Sequence, residues 1–299
     1  MIRMQLRGVC AAALMVCAAL PVQAAAPKPV KYVLQEAARP VAGGRAVQVS
    51  VGQAELGSNI NSTLGFAMVA GGAVGVLIEA GVGADRAQRA QLGITPIRRG
   101  LMDVDADQLA IDSTRSALAA MPWLEGQEPV FTRDATIFGK SDFLTAAPTS
   151  QVAFFTYTYD MAPDFSSVNV SVGIAIATKE QVKKGQPFTR LLDKNLVYGQ
   201  RVSSVVRLAN PTTPVENAQR WAANDSALAK KALTMAFSEV GTLIPRALTL
   251  TDADVARFNA SERRTIGSLG GKPMEEDAGG SLLFNPLPMG LIHIQTLQD

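Results

Sequence analysis

Two residue types that carry much of enzyme chemistry are nearly missing from this chain of 299 residues. It has one histidine, His293, and two cysteines, Cys10 and Cys17, both close to its start. Aromatic residues make up only 6% and charged residues 18%. The first 24 residues have the layout of a secretory signal. Arg3 and Arg7 form the basic region, Val9–Leu20 the apolar core, and Val22-Gln-Ala24 a small-residue cleavage site. The apolar run falls short of the ~20 residues a membrane anchor needs. Cys17 follows Val16, whereas bacterial lipoprotein signals place a small residue before the cysteine, so Cys17 reads as part of the apolar core.

Cleavage after Ala24 or Ala26 would remove both cysteines, which excludes disulfides, thiol catalysis and cysteine-ligated zinc. It would also remove two of the 28 basic residues, leaving 26 against 26 acidic ones. A neutral chain has no electrostatic reason to seek nucleic acid. The expected location is the Gram-negative periplasm, with outer-membrane association as an option. At 47% apolar residues, the chain has enough hydrophobic material for one or two cores without covalent staples.

The most apolar stretch beyond the leader is Leu64–Ala84. Ala67, Gly71 and Gly75 form a narrow stripe at a spacing of four, interrupted by Glu79 and resumed at Gly83. Each glycine costs a helix roughly 0.8–1 kcal/mol relative to alanine, so this spacing predicts a helix against which another backbone packs closely. The apolar part before Glu79 is too short to span a bilayer comfortably. A buried helix is therefore the first reading, with a membrane or partner surface as the alternative.

Elsewhere the pattern predicts an α+β fold, with a mixed, largely antiparallel sheet packed by the small-residue helix and a long helix in the C-terminal half. Brief strands are expected at Lys31–Gln35 and Arg45–Leu56. Asp103, Asp105 and Asp107 introduce a helix over Gln108–Met121. A strand is expected at Pro129–Thr132 and a short helix at Ser141–Ala146. Gln151–Asp160 and the alternating Val168–Ile176 form an antiparallel hairpin, and Leu196–Leu208 joins them. A long helix runs from Val215 to about Leu243, with Pro245 bending or ending it. Two late strands, Ser281–Phe284 and Gly290–Leu297, follow. The expected division is a signal at 1–24, an α+β domain at 25–210 and a helix plus strands at 211–299, packed on the same core.

No catalytic motif survives inspection, and no cofactor or metal is implied. His293 lies in an alternating run that predicts a solvent-facing strand position, and no serine sits in a nucleophile-elbow pattern. Gly139-Lys-Ser141 resembles the end of a phosphate loop, but Asp134 stands where its first glycine belongs, and Ser141 reads as a helix cap. The Asp103–Asp107 acids lack the glycine and glutamate of a calcium loop, with Gln108 and Thr114 in those places. Phe155, Tyr157 and Tyr159 read as core. Asp160, Asp164 and Glu125 are the candidates for a carboxylate-based hydrolase or a sugar-binding site.

The succession of strand, small-residue helix ending Ile78-Glu-Ala-Gly81, Asp103-Val-Asp105 helix, hydrophobic hairpin, Asn210-Pro and Trp221 helix resembles a group of exported Gram-negative envelope proteins of unknown function. More distantly, Asp105–Ala177 is similar in element order to the mixed domain of curli-secretion and peptidoglycan-synthase-activator lipoproteins, although their lipidated cysteine is missing here. The resemblance implies protein interaction and no reaction. The expected role is thus a non-catalytic envelope protein that binds or assembles with other envelope components or with itself, with a membrane-associated oligomer as the alternative.

Overall fold

The computed structural model describes residues 32–58, 92–124, 128–179, 195–260, 272–277, 279–285 and 290–298. The leader at 1–24 and the helix expected at 64–84, with Ala67, Gly71, Gly75, Glu79 and Gly83, lie outside these residues.

The sheet is built on the hairpin of β4 (Gln151–Met161) and β5 (Ser167–Thr178). Alternation puts Phe155, Tyr157 and Tyr159 opposite Ile174, Val172 and Val170 on one face, and all six enter the main core. The strand order is β3-β1-β4-β5-β6-β9-β8-β7, with β1 at Ala46–Val51, β3 at Val130–Thr132, β6 at Leu196–Leu208, β7 at Lys272–Asp277, β8 at Gly280–Asn285 and β9 at Gly290–Leu297. The two-residue β2 (Gly57–Ser58) pairs with the end of β4. The long ladders β4–β5 and β5–β6 are antiparallel, while β1 runs parallel to β3 and β4, and β9 parallel to β6. Helices occur in the connection from β1 to β4 and in that from β6 to β9, as crossovers between parallel neighbours require.

The helices are α1 (residues 92–100), α2 (Ala106–Ala119), α3 (Ile137–Ala146), α4 (Pro214–Thr249) and α5 (Asp252–Ala260). α2 and α4 supply most of the helical side of the main core. Asp105 caps α2 by accepting the Gln108 amide at 3.0 Å, so the acids at its start are structural. Tyr157 ties β4 to α2: its hydroxyl lies 2.8 Å from Thr114 Oγ1, and burial pushes its pKa up to about 12. A close helix contact does occur, but between α2 and α4. A β-carbon at Gly241 would sit 3.0 Å from the Ser113 carbonyl oxygen.

α3 covers part of the opposite face, where Leu144 and Ala147 pack with Val152, Phe154 and Ala175. Farther along, that face turns polar: Ser50 bonds Thr156 at 3.2 Å, and Ser171 meets Ser203 at 2.8 Å. Arg45, fully buried, links the lead-in to the sheet. It donates to the carbonyls of Ala38 and Arg39, both at 2.7 Å, and to Gln151 Oε1 at 3.0 Å. Burial lowers its pKa to about 10.

α4 departs from expectation twice. It starts with a capping box between Thr213 and Glu216 and with Pro214 in its first turn, yet it breaks at Ala223–Ser226. Asn224, Asp225 and Ser226 are left-handed, with φ of 51°, 55° and 56°, at roughly 1–2 kcal/mol each for non-glycine residues. The break is held by Ser226 Oγ, which donates to the Ile97 carbonyl at 3.3 Å, and by Lys230, 2.9 Å from Asp225 and 3.0 Å from Asp103. Pro245, by contrast, does not end the helix. Ile244, Ala247 and Leu248 beyond Leu243 are all buried, and that packing outweighs the one backbone bond a proline removes.

Candidate functional site

A groove of about 900 Å³ lies between α1, the β4–β5 turn and the first turns of α4. Only Asp164 and Gln219 bring polar side chains to its lining. Its rim carries two large apolar residues that are among the most exposed of the described ones, Leu92 at 69% and Val215 at 67%. Exposed apolar groups that converge on a concave surface mark a contact site more readily than scattered ones do.

The floor of the groove is rigid for identifiable reasons. Phe165 closes the hairpin turn with φ 54°, its amide donating to the Ala162 carbonyl at 2.8 Å. Trp221 Nε1–H donates to the Phe165 carbonyl at 2.7 Å. Asn217 Nδ2 donates to the Asp164 carbonyl at 3.0 Å, while its Oδ1 accepts the Thr212 amide at 2.9 Å. α1 lies against the turn because residue 93 is glycine; a β-carbon there would be 2.7 Å from the Phe165 ring. The far end of α1 lies as close to the break in α4, since a β-carbon at Gly100 would lie 2.3 Å from Ser226 Oγ.

His293 corrects an expectation. It faces α4 instead of solvent, its Nδ1–H donating to Glu239 Oε1 at 2.7 Å, with the Gln295 amide 3.2 Å from the same nitrogen. Ser204 is its in-register neighbour on β6 and is fully buried, and its hydroxyl has no hydrogen-bond partner among the described residues. Serine, histidine and glutamate therefore share one face, but they form no relay. The histidine Nε2 lies beside Gly280 on β8, where a β-carbon would sit 3.0 Å away, and the serine is sealed from solvent.

The pair acts as a clamp between β9 and α4. The His293 hydrogen bond, foremost, holds the Glu239 carboxyl below its ordinary value of 4.5. A carboxylate with a depressed folded-state pKa adds stability above its unfolded value, and that stability is lost as pH falls through the folded one. Glu239→Gln is therefore expected to lower the urea midpoint near neutral pH. The gap from the parent protein should close below about pH 4.5. Curves that stay parallel down to acid pH would remove the clamp.

The other candidates are dispersed. Asp160 accepts from Asn169 Nδ2 at 2.8 Å on β4, and Asp164 Oδ1 accepts the Ser166 amide at 3.0 Å in the turn. Glu125 lies outside the described residues. Ser141 is inside α3, whose cap is Thr136, and burial lowers the Lys140 pKa to about 8. Among the described residues no cluster of histidine, cysteine and carboxylate groups could hold a metal, and no helix is long and apolar enough to cross a membrane. Sequence reasoning missed Leu92 and Val215. Their available signal was an apolar residue beside Gly93 and Pro96 in one helix and after Pro214 in another.

Together these features define an α+β protein with a nine-stranded mixed sheet and an apolar groove at one end of its long helix. No protein-family model, no curated protein and no solved structure matches the chain.

Proposed function

We propose that this chain is a non-catalytic periplasmic protein of the Gram-negative envelope that binds or assembles with other envelope components through the groove between α1 and α4. The observation that carries the reading is the groove itself, with Leu92 and Val215 exposed on a firmly hydrogen-bonded floor. Covering each of these side chains would contribute about 1.5–3 kcal/mol, enough for a partner to be held by a few anchors. The signal-like first 24 residues supply the location.

A photo-crosslinking residue at position 219 tests it in cells. The parent chain should give a discrete adduct, either with another envelope protein or with a second copy. Leu92→Asp with Val215→Asp should abolish that adduct while changing stability by no more than about 0.5 kcal/mol per site, as surface changes do. An adduct that persists in the double variant would overturn the groove reading. Cytoplasmic retention of an alkaline phosphatase fusion would overturn the location.

A further inference from the structure

A second cavity, of about 320 Å³, opens where the β1–β2 connection, the end of α1, the start of α2 and the end of β4 meet. We infer that it binds a small anionic amphiphile, a carboxylate carried on an apolar chain. Its size is at the lower end of small-molecule sites, ~300–1,000 Å³.

Three observations on its walls point the same way. Glu55 and Arg98 largely cancel each other: Arg98 Nε lies 3.6 Å from the Glu55 carboxylate and donates to the Leu56 carbonyl at 2.7 Å. Arg99, beside them, is exposed and has no side-chain hydrogen bond or ion pair with any described residue, so the lining carries one surplus positive charge. Tyr159 is only 5% exposed, its ring 5.9 Å from that of Phe237, and its hydroxyl makes no hydrogen bond to a described residue.

Burial, first, raises the Tyr159 pKa, so the phenol remains protonated and available as a donor near neutral pH. A guanidinium and a phenol O–H in the lining of one cavity are both groups from which a carboxylate accepts. Leu101, Met102 and Leu233 form the apolar side against which a chain would lie. Nearby Asp107 is engaged by Arg133 at 2.6 Å, which limits its repulsion of an incoming anion. The site rests on residues distinct from those of the apolar groove, so either reading can fail without the other.

Calorimetric titration of the full chain with sodium octanoate tests the inference. Saturable one-site binding is expected, with Arg99→Gln and Tyr159→Phe each weakening it by roughly tenfold or more. Acetate, which has the head without the chain, and octanol, which has the chain without the charge, should each bind at least about tenfold more weakly. The Leu92→Asp, Val215→Asp double variant should bind octanoate as the parent does. No saturable binding at millimolar octanoate, unchanged affinity in both pocket variants, equal binding of octanol or acetate, or loss in the groove variant would each overturn it.

Discussion

Replacing Trp221 with alanine is expected to destabilise the protein by about 3–5 kcal/mol, the range for emptying a large aromatic site in a core. Trp221 is fully buried at the point where α4, the β4–β5 turn and the groove floor meet. Its indole N–H also satisfies the carbonyl of Phe165, a residue held at positive φ. Trp221→Phe separates the two contributions. It keeps most of the volume but leaves that carbonyl without its donor, so a loss of about 1–3 kcal/mol is expected. Urea unfolding followed by far-ultraviolet circular dichroism would measure both. A loss below about 1 kcal/mol for the alanine variant would mean that the start of α4 is not packed as described.

The second large effect is expected at Gly241. Its missing side chain lets α4 approach the backbone of α2, with the Ser113 carbonyl oxygen 3.0 Å from where a β-carbon would stand. Leucine there must push the helices apart, at about 1–3 kcal/mol or more. Alanine is a closer contest, because it gains up to ~1 kcal/mol of helix propensity against a tight contact. Gly241→Ala should therefore stay within about 1 kcal/mol of the parent while Gly241→Leu falls well below it. Equal melting temperatures for all three proteins would show that the two helices are not in close contact at this point.

How far the sequence foretells the structure differs between elements, for physical reasons. The hairpin was legible because Val168–Ile176 alternates with period two and Phe155–Tyr159 matches it; local pattern and burial agree. The start of α2 was legible because a capping carboxylate acts over three residues, within reach of local reading. The late strands were found, but not that β9 lies between β6 and β8, because alternation fixes a face and leaves the neighbours unspecified. Asn224–Ser226 are turn formers, but the apolar positions Trp221, Leu228 and Leu233 continue across them and hid the break in α4. His293 was placed on the wrong side because its partner, Glu239, is 54 residues away. The groove escaped for the same reason: Leu92, Phe165 and Val215 converge only once the chain has folded.

The position of β9 also has a consequence in time. Its residues, Gly290–Leu297, are the mortar between β6 on one side and the β7–β8 hairpin on the other. Until the chain has been made this far, β6 lacks its neighbour on that side and the hairpin has no third strand to pair with. Contacts so distant in sequence close late and slowly. A nascent chain of this design stays unfinished for most of its synthesis.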